Sequence, residues 1–311
     1  MYYTFHRRSG MIWDYLIIIL AVVCFAAQFA FTKVYEGCVK QTVVTSLVML
    51  VLTGVLGALL YLAIGKFRVD VSLISVFLAL AFAVVMIPYY IISIKVLSLG
   101  SLAVYSMFMM LGGMLLPFLY GIIFLSEEIT WGKIVGCMLL TGFIILQALS
   151  QKTPEGGEKG NKYLFFILCL CIFVINGMTG VIAKAHQIQP KGVDEVSFTV
   201  LSCTFTAGLS GILLLIITLC KRKERFAEIK TVMNWKPLLF ILLLGAAMHT
   251  GNFLILKAAA NVPASVQFPL VSGGTILLSA LASALIFKEK LSWKEWVSVG
   301  GAFATTFLFA F

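Results

Sequence analysis

The chain alternates long apolar runs with short polar interruptions, and ten runs can be marked. They cover residues 12–33, 42–65, 71–95, 102–124, 134–149, 163–184, 196–219, 237–256, 264–287 and 296–311. About 20 apolar residues suffice to cross a hydrocarbon core about 30 Å thick. In lipid the backbone must satisfy its own hydrogen bonds, so each run is predicted to be a helix. The apolar–polar alternation of a membrane barrel strand is not found. The predicted class is all-α integral membrane, with ten transmembrane helices.

Most interruptions are short, so consecutive helices are predicted to run antiparallel. Two are longer. Residues 151–162 (QKTPEGGEKGNK) are polar and glycine-rich and fall at mid-chain, as a linker would. Residues 221–236 are basic and carry Phe226, Ile229, Val232 and Met233 at helical spacing. They form either an amphipathic helix on the membrane surface or a solvated loop.

The two halves of the chain repeat one another. Lys95 and Lys257 lie 162 residues apart, and the same shift carries Gly112 to Gly274, Glu127 to Glu289, Thr130 to Ser292 and Trp131 to Trp293. Upstream, TGVLGALL (53–60) answers AGLSGILL (207–214), and Lys33 closing the first run answers Lys184 closing the sixth. Apolar letters coincide easily by chance, so the shared lysines, glutamates and tryptophans carry the comparison. The expected organisation is a first five-helix repeat over 1–150, the linker 151–162 and a second repeat over 163–311. Five crossings is an odd number, so the second unit enters from the opposite side and the two form an inverted repeat. Such chains place a solute site at the interface of the halves and alternate its access.

Composition agrees. With 61% hydrophobic and 12% charged residues the chain is not a water-soluble globule. Its net charge of +10 sits in loops between apolar runs, so it is a membrane signature rather than a nucleic-acid one. The seven cysteines show no disulfide or zinc spacing and read as polarisable fillers. The first run is too long for a signal-peptide core. No cofactor or metal is expected. The expected partners are a small-molecule substrate and the lipid bilayer, not nucleic acid.

The chain resembles the drug/metabolite transporter superfamily, and within it the EamA-type ten-helix permeases. The resemblance rests on Lys33 and Lys184, on the helix–loop–helix around Lys95 and Lys257, and on the acidic residue before the last helix of each half, in EEITW (127–131) and EKLSW (289–293). There are departures. The family usually has Gly-Glu at that last position, whereas Ser126 and Lys288 stand here. A proline common some thirteen residues earlier is missing from both halves. The resemblance implies a carrier of small organic metabolites, amino acids or related compounds, often exported, in the cytoplasmic membrane with both termini in the cytoplasm. The charge pattern points the other way: 8 of the 23 Lys and Arg lie on the N-terminal side and 15 on the opposite side, which would put the N-terminus outside.

Several residues are candidates for function. Ionisable groups inside a span are functional hypotheses by default, and His249 lies mid-span, able to bind solute or carry a proton. Asp14 reads as an interfacial acid beside Trp13 and Tyr15. Gln28, Asn176 and Thr179 lie late in the first and sixth helices. Tyr89 and Tyr90 follow Pro88 and match Gly251 and Asn252, and Tyr105 matches Gln267. These phenols and amides should face the interior and line the substrate pathway. The plainer reading is interhelical bonding worth about 1 kcal/mol each. Lys33, Lys95, Lys184, Lys257, Glu127 and Glu289 are candidates for gating salt bridges, against simple snorkelling of the lysines. Gly54, Gly57, Gly208 and Gly211 are expected to permit close helix approach, and Gly112, Gly113, Gly273 and Gly274 to permit bending. No Walker lysine motif is present, so the drive is proton exchange or the solute's own gradient. The alternatives are a membrane-embedded enzyme and an efflux carrier of drugs or quaternary cations. The enzyme reading lacks metal-ligand spacing at His6, His186 and His249 and a Gly-x-Ser-x-Gly motif.

Overall fold

The computed structural model describes residues 2–126, 130–150, 160–220, 222–258, 262 and 264–310. All regular elements among the described residues are helices, joined by short turns and irregular connections. The elements are α1 (Tyr2–Cys38), α2 (Val43–Ile64), α3 (Leu73–Leu99), α4 (Leu102–Leu125), α5 (Trp131–Ser150), α6 (Gly160–Gln187), α7 (Glu195–Cys220), α8 (Arg222–Val232), α9 (Trp235–Ala258), α10 (Ala264–Leu285) and α11 (Trp293–Thr306), with a closing 3-10 turn at Phe307–Ala310. Among the described residues, seven helices are long and apolar enough to cross a membrane: α1 over Trp13–Cys38, α2, α3, α4, α6 over Tyr163–Gln187, α7 and α9. Shorter apolar stretches occur in α5 (Trp131–Phe143) and α10 (Leu270–Leu285).

Helix starts are written in the local sequence. Thr42, Ser72, Ser101 and Ser292 each stand just before a helix, and the side-chain oxygen accepts the backbone N–H three residues on. α1 outruns its expected 12–33 at both ends, and α11 yields to the 3-10 turn at Phe307 instead of continuing to residue 311. Residues 222–232 take the helical alternative. Val232 is buried and Ile229 packs on the core, while Phe226 and Met233 stay exposed. Arg225 donates to Glu228 at 2.9 Å, and Glu228 accepts the Thr42 hydroxyl at 2.6 Å, which fixes α8 to the start of α2.

The helices pack chiefly across the middle of the chain. α1 lies on α9 and α10, α6 on α3 and α4, α2 on α7, α4 on α10 and α5 on α11. Exposed Leu, Ile, Val and Phe side chains ring the outside, as a lipid-facing surface requires. The glycines divide. A Cβ on Gly54 would press on the Cys203 carbonyl at 3.0 Å, and one on Gly112 would overlap the Phe173 carbonyl. Gly273 and Gly274 likewise meet α11 and Val22 of α1, so these pairs are sites of close approach. Gly208 and Gly211 meet nothing within 4 Å, so the expected close approach fails there: both face away from other helices.

Two corners repeat. Ser126 and Lys288, separated by the same 162 positions, both adopt φ of 53°, in the left-handed region. For a residue with a Cβ this conformation costs about 1–2 kcal/mol. These are the positions at which the resemblance noted in the sequence leads one to expect glycine. Lys288→Gly should therefore raise stability by about 0.5–1 kcal/mol, after allowing for the added freedom of the unfolded chain. Thermal unfolding in detergent would show it as a higher midpoint, and a lower one would contradict the strain argument.

Candidate functional site

One end of the molecule is closed by a knot around Lys33. The last turn of α3 and the first of α4 leave backbone groups without intrahelical partners. Lys33 of α1 donates to the carbonyls of Leu97 (2.8 Å) and Gly100 (2.9 Å) and pairs with Glu289 at 2.9 Å. All three ammonium hydrogens are thereby used. The other oxygen of Glu289 accepts the Leu102 N–H at 3.0 Å and the Ser283 hydroxyl. A cation thus meets the C-terminal end of α3 and an anion the N-terminal end of α4, the signs that the helix dipoles favour. The pair is largely shielded, at 16% and 18% exposure, so it counts for more than a surface ion pair. It also ties α1, α3 and α4 of the first half to α10 and its following loop in the second.

Between α3 and α4 three tyrosines gather. Pro88 precedes Tyr89 and Tyr90 in α3, and Tyr105 faces them from α4. Tyr105 donates to Ser93 at 3.0 Å, which leaves Tyr89 as donor towards Tyr105 (3.2 Å) and the sulfur of Met109 (3.2 Å). Phe29 of α1 meets Tyr105 edge-on at 5.8 Å. Tyr90 donates to the sulfur of Met248 on α9 at 3.4 Å. Its neighbour His249 is buried, with Nε2 3.0 Å from the Thr53 carbonyl of α2. A carbonyl only accepts, so Nε2 carries the hydrogen. Tyr61 donates to the His249 carbonyl at 3.2 Å and its ring stands edge-on to the imidazole. A Cβ on Gly57 would overlap that imidazole, so this glycine makes room for it. Asn176 of α6 donates to the Met109 carbonyl at 2.8 Å.

The structure therefore brings together Tyr89, Tyr90, Tyr105, His249 and Asn176. Gln28 is buried on α1, its carbonyl taken by Thr32. Thr179 bonds back to the Asn176 carbonyl, and Gln267 is buried against the Ile255 carbonyl at 2.6 Å. Asn252 is exposed and bonds its own helix at Met248, so it stands apart from the group. Of the gating candidates, Lys33 and Glu289 meet. Lys184 donates to the Pro117 carbonyl of α4 at 3.4 Å. Lys95 and Lys257 are exposed at helix ends. Glu127 lies outside the described residues.

The opposite end is closed by groups that sequence reading did not select. Ser197 of α7 accepts the Asp70 N–H at 3.1 Å, and Ser75 of α3 meets His186 of α6 at 2.9 Å. These contacts join residues more than 100 apart with no motif around them, so no local signal marked them. Asp194 caps α7. It accepts the N–H groups of Val196 (2.9 Å) and Ser197 (3.0 Å) and the Ser197 hydroxyl (2.6 Å). Partial desolvation pushes its carboxyl up, but these hydrogen bonds outweigh that and hold it below the usual carboxylate range.

Residues 162–311 match the model of the EamA-like transporter family. No curated protein matches the chain. One crystal structure of a protein is similar over 96% of this chain and 98% of its own, with a TM-score of 0.56 at 16% identity. At that identity the likeness concerns the fold alone.

A folded-state depression makes Asp194 a source of stability at neutral pH. That contribution is complete above the ordinary carboxylate value of about 4. It drains away as the pH falls through the lower folded value. Asp194→Asn should therefore melt below the wild type at pH 7, with the two melting points converging towards pH 3. A gap that is constant across that range would count against the capping charge.

Proposed function

We propose that this chain, whose residues 162–311 match the EamA-like transporter family, is a multi-pass member of the drug/metabolite transporter superfamily and a secondary carrier of small organic metabolites working by alternating access. Ten helices, all but the charged α8, cross the cytoplasmic membrane as two inverted units, 1–150 and 163–311, joined by the linker 151–162. Two observations support the inverted pairing. The main packings between the halves have counterparts with the halves exchanged: α1 on α9 and α10 answers α6 on α3 and α4, and α3 on α7 answers α2 on α9, while α2 with α7, α4 with α10 and α5 with α11 answer themselves. The left-handed corners at Ser126 and Lys288 also recur at the shift found in the sequence.

The solute site is the tyrosine centre with Asn176 and His249, where helices of both halves meet. The observation that carries this reading is its chemistry: buried phenols and an imidazole with a half-buried amide, and the nearby Lys33 and Glu289 committed to each other a turn away along α4. A solute bearing a net charge would lie there without a counter-ion, at a heavy desolvation cost. The cargo is therefore net neutral and hydrogen-bonding, which includes zwitterionic amino acids and related compounds, and it is moved outward. Lys33–Glu289 is the gate at its end. Both termini are placed in the cytoplasm, as in the related permeases, and a compartment-specific tag at the C-terminus reports the side.

Purified protein in liposomes should show counterflow for one or more members of a panel of neutral and zwitterionic metabolites. Absence of exchange across the panel would remove the carrier reading. Tyr105→Phe should weaken exchange about tenfold by breaking the hydroxyl chain, the factor that corresponds to about one hydrogen bond. Glu289→Gln leaves the Lys33 charge without its partner. It should raise passive leak of the same solute relative to wild type, and an unchanged leak would argue against the gate.

A further inference from the structure

The two buried histidines differ in what a proton would do to them. His249 donates Nε2–H to the Thr53 carbonyl. An imidazolium donates that bond equally well, so protonation leaves the contact between α9 and α2 in place. His186 is the reverse case. Its partner Ser75 Oγ accepts the Val193 N–H at 3.1 Å and the Ser72 hydroxyl at 2.8 Å. The Ser72 oxygen in turn accepts the Ser75 N–H at 3.3 Å, which keeps the two hydroxyls side by side. A hydroxyl has two lone pairs and one hydrogen. With both lone pairs taken, Ser75 gives its hydrogen to His186 Nε2 at 2.9 Å, and that nitrogen is an acceptor.

From this polarity we propose that His186 is a proton-binding site of the carrier, and that its protonation releases the contact between the halves at the end opposite Lys33. The proton adds to the Nε2 lone pair and turns the acceptor into a donor. It then faces an oxygen whose lone pairs are both occupied, so one of the groups on them must give way. Ser72 is held beside Ser75 by the Ser75 N–H at the start of α3, so the contact that yields is the Val193 N–H to Ser75, which joins the loop between α6 and α7 in the second half to α3 in the first. The ring is buried and stacked on Phe198 of α7, with centroids 3.8 Å apart and planes inclined by 14°. A shift of the ring therefore also moves α7.

The charged groups around the ring have been assigned other partners or stand further off. The Asp194 carboxylate acts on it through space while committed to Val196 and Ser197, and it gives an imidazolium an anion to turn towards. Glu195 holds the Gln187 amide at 2.8 Å. Lys184 precedes the ring on α6 and reaches Pro117. Lys191 lies in the following loop, and Asp70 enters through its backbone N–H to Ser197. α3 contributes hydroxyls, Ser72 and Ser75.

This inference rests on the carrier reading for its purpose but is tested without a solute. Hydrogen exchange, corrected for its intrinsic pH dependence, is measured on the full chain in lipid at pH 8 and pH 5.5 over residues 70–80 and 188–197. Asp194 remains ionised at both pH values. The wild type and His249→Gln should lose about tenfold of their protection at the Val193 amide on acidification. His186→Gln should not, because its amide oxygen accepts the Ser75 hydrogen and does not titrate. Protection that is independent of pH in the wild type, or pH dependence retained in His186→Gln, overturns the proposal. Imidazole nitrogen NMR of the wild type provides a second readout that needs no variant. At pH 8 the His186 ring should carry its hydrogen on Nδ1, and an Nε2–H ring overturns the polarity on which the proposal stands. A failed counterflow assay would remove the carrier while leaving these results intact.

Discussion

An ammonium largely shielded from bulk water needs protein acceptors for its three hydrogens, and the arrangement around Lys33 follows from that demand. Two acceptors are carbonyls that α3 leaves open where it ends at Gly100, and the third is Glu289. The carboxylate in turn serves the first N–H of α4 at Leu102. The chain reverses between Leu99 and Leu102, and such a reversal inside an apolar surrounding would otherwise leave polar backbone groups unsatisfied. The ion pair is thus the means by which a tight helix–helix corner of one half is stabilised by a residue from the other. Packing alone, in which leucine meets leucine much as it would meet lipid, cannot supply that specificity.

The uncharged centre and the charged end divide the work between them. Tyr89, Tyr90 and Tyr105 all come from the first half and are satisfied by one another, by Ser93 and by the sulfurs of Met109 and Met248. Sulfur is a weak acceptor, so these phenols hold their hydrogens loosely compared with phenols bound to a carbonyl. His249 contributes shape and a fixed cross-half bond. His186 sits in a network in which the oxygen it meets, that of Ser75, already accepts two hydrogens.

Much of this was legible in the letters. Charges and tryptophans at one interval pointed to a duplication and marked Glu289, and Lys33, matched to Lys184 at a different interval, is the lysine that meets it. Pro88 followed by two tyrosines disclosed part of the centre. What could not be read was which face of a helix turns inward. In a soluble helix an apolar stripe marks the buried side. Here both lipid and core demand apolar residues, so nothing in the pattern set Asn252 on the outside or Gly208 away from its neighbours. His186 was missed for a different reason. Its partner Ser75 is 111 residues away, and a lone serine carries no signal of its own.

The bent backbone at Ser126 and at Lys288 has a wider implication. Ser126 and Lys288 each hold a Cβ in the left-handed region. Such strain persists only where the surrounding structure over-determines the backbone, so at these two corners packing rather than local preference dictates the path of the chain.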